Sequence, residues 1–204
     1  MVMHKETNIT GDTTNDWPGP YSLCLKKTLA GAIDPHHLYT PESYQDAAFA
    51  WLSNEVSKNA NCSSNKEYLT ERYALVALST AERAPDSWIS SSNHCVWARV
   101  TCDGSRVVEF TYAGDTIGAL KGSLAPQFTL LRHLERLNVY ANEFSQSSIP
   151  TGVGTMSALT FLALDYNALS GAIPSEIGNL SALSVLNLNR NTLSGSIPSE
   201  VGNL

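Results

Sequence analysis

Apolar residues in the first half of this chain recur every three or four positions within two segments. These segments are residues 40–56 (TPESYQDAAFAWLSNEV) and 66–82 (KEYLTERYALVALSTAE), and the period predicts two amphipathic helices. Thr40 and Pro41 suit the first turn of the first helix, and Pro85 prevents the second from continuing much further. The predicted apolar stripe of the second helix consists of Leu69, Tyr73, Val76 and Ala77.

In the second half the pattern changes to short alternating stretches that recur along the chain. LERLNVYANEF, LTFLALDYNAL and LSVLNLNRNTL begin at Leu134, Leu159 and Leu183, which are 25 and 24 residues apart. A worn copy, VEFTYAGDTI, precedes them by 27 residues and carries Asp115 in place of an asparagine. A self-similar period of about 20–29 residues with the pattern L-x-x-L-x-L-x-x-N is typical of a leucine-rich repeat.

The residues that the copies share explain why the segment is repeated. The L-x-x-L-x-L segment predicts a strand with leucines directed inward, and one coil cannot bury them without a neighbouring coil. A side-chain amide donates and accepts hydrogen bonds at once. Asn142, Asn167 and Asn191 are therefore expected to form a ladder between coils. We predict an α/β fold: a right-handed leucine-rich repeat solenoid of about four repeats behind an N-terminal helical cap.

Three regions follow from this reading. We predict an irregular leader over residues 1–40, a helical cap region over 41–104, and the repeats over 105–204. NEFSQSSIP has one residue more than NALSGAIP, so we expect a local bulge in that coil. Apolar side chains of the last coil would face water on one side, from which we expect that the chain is part of a longer array.

The segment CVWARVTC, residues 95–102, resembles the cap motif C-x-W-x-G-V-x-C of plant-type leucine-rich repeat proteins, with Arg99 in place of the glycine. NALSGAIPSEIGNL is similar to the repeat consensus of the same family, and the resemblance covers residues 68–204. It implies a disulfide between Cys95 and Cys102, an oxidising compartment, and an extracellular or cell-surface location. The pairing of Cys24 and Cys62 stays open.

Composition and motifs limit the possible functions. The formal net charge is −6 with no basic stripe, and no apolar run is long enough to span a membrane. No nucleophile, metal-ligand or phosphate-loop motif is evident, so we expect no catalysis, no cofactor and no metal. Three glycosylation sequons begin at Asn8, Asn61 and Asn179.

The outward strand residues are the expected binding surface, on the concave face of the solenoid. The resemblance implies the recognition part of a receptor-like protein, with a protein, peptide or glycan as its ligand. Alternatives are a secreted inhibitor of a carbohydrate-degrading enzyme and a structural wall or matrix protein. The candidate contact residues are Arg136, Asn138, Tyr140, Phe161, Asp165, Tyr166, Val185, Asn187, Asn189 and Arg190.

Overall fold

One helix, a sheet and a series of short 3-10 helices make up the described part of the chain. The computed structural model describes residues 66–80, 92–114, 118–145 and 147–204, and also Leu29, Ala48, Leu52 and Ile89. Most of the leader and of the helix predicted over 40–56 therefore lies outside the described residues. Leu29, Ala48 and Leu52 are each helical and fully buried; at Leu29 this differs from the irregular conformation expected of the leader.

Helix α1 (Lys66–Thr80) begins where the sequence predicts it, and its predicted last two residues lie outside the described ranges. The four predicted stripe residues are all buried, but Ala74, Leu75 and Leu78 are buried as well. The helix thus has more than one buried side. It packs against the strand Arg106–Thr111 and the 3-10 helix Pro126–Leu130, and Leu29, Ala48 and Leu52 belong to the same core.

The strands form one five-stranded sheet and two short pairs at its side. The main sheet has the order β1-β2-β4-β6-β8, and the pairs are β3-β5 and β7-β9. A 3-10 helix closes each coil after the side strand. The strands are β1 (Val100–Asp103), β2 (Arg106–Thr111), β3 (Lys121–Gly122), β4 (Arg136–Asn138), β5 (Glu143–Phe144), β6 (Phe161–Ala163), β7 (Ser170–Gly171), β8 (Val185–Asn187) and β9 (Thr192–Leu193). The 3-10 helices are η1 (His94–Val96), η2 (Pro126–Leu130), η3 (Thr151–Thr155), η4 (Ser175–Asn179) and η5 (Ser199–Asn203).

Strand register confirms the repeat spacing read from the sequence. β1 and β2 are antiparallel, whereas β2, β4, β6 and β8 pair in parallel. Glu109, Arg136, Phe161 and Val185 are successive partners, 27, 25 and 24 residues apart. The worn first copy therefore forms a coil in register with the others, although Asp115 itself lies outside the described residues.

Leucines on the inner side of the sheet form the core of the array. The inward residues of the second and third coils, Leu134, Leu137, Val139, Leu159, Leu162 and Leu164, are fully buried as predicted. In the last coil Leu186 and Leu188 are only partly buried, and Ile197 is 74% exposed. Each coil is thus buried by the coil that follows it.

The side strands have an irregular register at the coil in which the sequence has an extra residue. A bridge between Ser145 and Ala168 connects β3-β5 with β7-β9. Ala168 N donates to Phe144 O, and Ser170 N donates to Ser147 O, both at 2.9 Å. Donors two residues apart thus meet acceptors three residues apart, which is the pattern of a β-bulge. The local bulge expected in this coil is therefore present.

Two glycines allow the 3-10 helices to approach one another. A Cβ added to Gly154 would lie 2.5 Å from the carbonyl oxygen of Glu176, and one added to Gly178 would lie 2.4 Å from that of Glu200. Such contacts are shorter than any side chain tolerates, so these positions require glycine. This packing role explains Gly154 in TGVGTMS, residues 151–157.

We expect Gly154→Ala to destabilise the array by about 1–3 kcal/mol, because the new methyl group would push the third coil away from the second. The measurement is the free energy of unfolding from urea titration. Gly202→Ala is the matched control, since nothing lies within 4 Å of a Cβ at that position; we expect a change within about 0.5 kcal/mol. Equal effects of the two substitutions would contradict this account.

Candidate functional site

The outward side chains of β2, β4, β6 and β8 form a surface, here called the strand face, which the sequence analysis expects to be concave. Because the strands are in parallel register, side chains at equivalent positions stand next to each other in rows across the coils. The first row is Glu109, Arg136, Phe161 and Val185; the second is Thr111, Asn138, Ala163 and Asn187. The residues two positions further along each coil, Ala113, Tyr140, Asp165 and Asn189, continue the pattern.

Exposure varies across the strand face. Arg136, Val185, Asn189 and Arg190 are exposed, whereas Asn138, Tyr140, Phe161, Asp165 and Asn187 are half-buried. Ala163 is only 3% exposed because its short side chain lies between larger neighbours in the second row. Tyr166 is 52% exposed. The described surface therefore combines aromatic, amide and charged groups that are accessible to a ligand.

Two arginines stack on aromatic rings of the third coil. The Arg136 guanidinium lies 4.2 Å from the Phe161 ring centroid, and the Arg190 guanidinium lies 5.4 Å from that of Tyr166. Each such contact at an exposed site contributes about 0.5–1 kcal/mol. Arg136 Nε also lies 3.6 Å from Glu109 Oε1. Arg136 is therefore already paired, whereas Arg190 has no carboxylate within ion-pair distance among the described residues.

Three residues at the edge of the strand face adopt a left-handed backbone. Ala141, Tyr166 and Arg190 have φ values of 55°, 54° and 56°. Each directly precedes a ladder asparagine, where the chain turns out of the sheet. Non-glycine residues rarely adopt this conformation, so the turn determines where Tyr166 and Arg190 direct their side chains.

Each ladder asparagine both donates a hydrogen bond to the preceding coil and accepts one from it. Asn167 Nδ2 donates to Val139 O at 3.0 Å in the coil before it, and its Oδ1 accepts from Phe144 N at 3.3 Å. It also donates to Leu164 O and Asp165 O of its own turn. Asn142 and Asn191 make the equivalent bonds.

The cap carries the disulfide that the family resemblance implied. Cys95 and Cys102 are bonded, with their Cα atoms 5.5 Å apart. Arg99, which occupies the glycine position of the motif, has φ 79° and so keeps a glycine-like turn. Its guanidinium lies 4.9 Å from the Tyr112 ring centroid, a contact that offsets part of the backbone strain.

Two polar clusters between the cap and the array were not identified from the sequence. In the first, buried Glu71 lies 3.4 Å from His94 and accepts a hydrogen bond from Val107 N. In the second, Glu67 on α1 pairs with His133 and with Arg106, at 2.6 and 3.3 Å. These residues lie far apart in sequence and belong to no motif, so no periodic signal could have grouped them.

Of the three sequons, only Asn179 lies within the described residues. It is exposed at the end of η4, and Ser181 of the same sequon is exposed too. Asn8 and Asn61 lie outside the described ranges. The helices that the structure describes lack the length and apolar content needed to cross a bilayer.

Family models match the cap and the last two coils of this chain. The leucine rich repeat N-terminal domain matches residues 69–103, and the leucine rich repeat matches residues 158–180 and 182–204. The chain is also 42% identical over 93 residues to Receptor-like protein 7 of Arabidopsis thaliana. That match covers 42% of this chain and 9% of the relative, so the chain corresponds to about a tenth of the relative's length.

Solved structures of plant proteins share the fold. A plant ice-binding protein has a TM-score of 0.60 and 30% identity, with 66% of this chain and 44% of that chain covered. The BIR3–SERK2 complex from Arabidopsis thaliana has a TM-score of 0.56 and 30% identity, with 64% of this chain and 73% of that chain covered. The Arabidopsis receptor kinase HAESA ectodomain, in complex with an IDA peptide hormone ligand, has a TM-score of 0.57 and 28% identity. That match covers 67% of this chain and 23% of that chain.

We expect Asn167→Asp to lower the free energy of unfolding by about 3 kcal/mol. The carboxylate cannot donate to the carbonyl oxygens that Asn167 now serves, and it places a charge beside them. Urea unfolding followed by circular dichroism measures the loss. Asn189→Asp makes the same chemical change at an exposed position, and we expect it to be close to neutral. Similar losses in both variants would show that charge, rather than the ladder, is responsible.

Proposed function

Because the chain belongs to the plant-type leucine-rich repeat family with an N-terminal cap, we propose that it is the extracellular recognition part of a receptor-like protein. In this proposal the strand face is concave, carries no catalytic group and binds a peptide or protein ligand. The observation that carries the proposal is that aromatic and cationic side chains, each exposed or half-buried, lie together on one face of the sheet. Tyr and Arg are enriched among the residues that dominate binding energy.

The functions of similar proteins support this choice. The HAESA ectodomain binds a peptide hormone, and BIR3 and SERK2 form a complex with each other. We propose the same class of partner here, with contacts from the candidate residues between Arg136 and Arg190. Tyr166 and Arg190 are the strongest candidates because both are exposed at the edge of the strand face and stack on each other.

The handedness of the solenoid, the number of repeats and the region boundaries are also part of the proposal. We infer a right-handed solenoid of about four repeats, since parallel strand connections are almost always right-handed. We further place the division between the cap and the repeats near residue 104, following a leader of about forty residues and a helical cap. The cap match over residues 69–103 supports the proposed division near residue 104.

We expect the double variant Tyr166→Asn and Arg190→Asn to weaken ligand binding by at least about 2 kcal/mol, roughly thirtyfold. Asparagine tolerates the left-handed backbone at both positions, so the melting temperature should change little. The measurement is surface plasmon resonance of the immobilised chain against a library of secreted plant peptides and receptor ectodomains. Glu200→Gln with Asn203→Gln, on the exposed surface of η5, is the matched control.

Three results would overturn the proposed site or the proposed class of protein. Unchanged ligand affinity in the double variant would exclude this edge of the strand face as the binding site. If no peptide or ectodomain binds and the chain instead inhibits a carbohydrate-degrading enzyme, it is a secreted inhibitor. If the chain has no tight partner, and if Tyr140→Ala and Phe161→Ala leave its assembly unchanged, it is a structural wall or matrix protein.

We also propose that Asn179 carries an N-linked glycan on the side of the solenoid formed by the 3-10 helices. Its exposure at the end of η4, together with that of Ser181, supports this. Peptide mass spectrometry of the chain secreted from a eukaryotic host should find glycan on the peptide containing Asn179. Ser181→Ala should remove it, whereas Ser184→Ala, outside the sequon, should not. An unmodified parent peptide would exclude glycosylation at this position.

A further inference from the structure

The cap meets the array at a cleft of about 330 Å³ between α1 and the segment that precedes β4. Residues of α1 line one side of this cleft, and Leu130, Arg132 and His133 line the other. Glu67 of α1, Arg106 of β2 and His133 contact one another here. These three side chains, here called the junction cluster, connect the cap, the first coil and the second coil, because His133 directly precedes the second coil.

Glu67 and Arg106 contact the same imidazole ring. Glu67 Oε1 lies 2.6 Å from His133 Nε2, and Arg106 Nη1 lies 2.7 Å from His133 Nε2 and 3.3 Å from His133 Nδ1. Arg106 Nη2 lies 3.3 Å from Glu67 Oε2. An ionised carboxylate only accepts hydrogen bonds, and a guanidinium only donates them. The ring can therefore satisfy both neighbours only if it donates to Glu67 and accepts from Arg106.

The protonation state of the ring decides whether it can do both. A neutral imidazole has one N–H group and one nitrogen that accepts, whereas an imidazolium has N–H groups on both nitrogens and accepts nothing. Neutral His133 thus offers Arg106 an acceptor, and in the tautomer with the proton on Nε2 it also donates to Glu67. Protonated His133 keeps the donor for Glu67 but presents a second positive charge to Arg106, whose Nη1 lies 2.7 Å from the ring.

We propose that proton uptake by His133 releases Arg106 from the ring while Glu67 stays bound to it. In the neutral form, His133 connects the second coil both to β2 and to α1, whereas in the protonated form it connects the second coil to α1 alone. Histidine is the side chain whose charge normally changes between about pH 5 and 8. The junction cluster therefore makes this side-chain contact between the first two coils dependent on pH. The inference does not depend on the proposed ligand of the strand face.

The other charged groups of the cleft cannot hold Arg106 in place of the ring. Lys66 of α1 and Arg132 on the opposite side are cations and accept no hydrogen bond. Glu71 of α1 is a carboxylate, but it is buried; one of its oxygens accepts from a backbone amide of β2 and the other faces a buried histidine. Among the described residues, Glu67 is therefore the carboxylate that stays within ion-pair distance of Arg106.

Asp103 offers the released guanidinium a second carboxylate. It is the register partner of Arg106 on β1, and opposite charges on facing strand residues attract each other. The side chains of the junction cluster are between 37% and 50% exposed, so water replaces a lost contact at little cost. Arg106 can therefore change partners without opening the core.

Nuclear magnetic resonance of the full chain, labelled with ¹⁵N and ¹³C, tests this exchange between about pH 5 and 8. As the His133 ring takes up a proton, we expect the nuclear Overhauser contacts between the ring and the Arg106 side chain to be lost, and those with Glu67 to remain. The loss should have the same midpoint as the titration of the ring itself. Arg106 contacts that persist through the titration, or loss of the Glu67 contacts instead, would overturn the proposal.

Two variants separate this exchange from a general effect of charge. His133→Gln supplies an amide that donates and accepts at every pH, so Arg106 should stay bound and its pH-dependent signal change should disappear. Arg132→Gln alters the charge of the same cleft without removing a ring contact, and it should leave the signal change in place. The opposite result in either variant contradicts the account. Both variants must first melt like the parent at about pH 8; if His133→Gln does not, the contacts measured in the parent chain decide.

Discussion

Hydrogen bonds between coils are the constraint on which the array depends. The turn after each strand leaves backbone carbonyl and amide groups that the coil cannot pair by itself, and an unpaired buried group is costly. Asn142, Asn167 and Asn191 supply these partners, and each one bonds to the coil before it. The ladder therefore holds neighbouring strands in register, and register determines which side chains meet on the strand face.

That register could be read from the sequence because it depends on local periodicity. The 27-, 25- and 24-residue spacings were visible in the sequence, and the strand pairs follow them. The burial of α1 on several sides was not predictable, since it depends on residues distant in the chain. For the same reason the Glu71–His94 pair was missed. The stacking of Arg136 on Phe161 and of Arg190 on Tyr166 depends on side-chain conformations, which the repeat period does not specify.

The cap solves a different problem from that of the repeats. The first coil has no preceding coil to cover it, and α1 takes that place by packing on β2 and η2. Arg72 of α1 stacks 4.6 Å from the Trp97 ring centroid and donates to Ser92 O at 2.7 Å. The disulfide fixes η1 to β1 beside these contacts. Interactions between residues far apart in the sequence therefore connect the parts of the cap to each other and connect the cap to the array.

The left-handed residues before the ladder asparagines limit how the edge of this surface can evolve. Any new side chain at the positions of Ala141, Tyr166 or Arg190 must accept φ near 55°, and β-branched residues do so poorly. Valine, isoleucine and threonine are thus disfavoured at this edge, while asparagine, aspartate and glycine enter easily. A library built to change ligand preference would gain most by sampling the strand rows freely and restricting these three positions to residues that tolerate the turn.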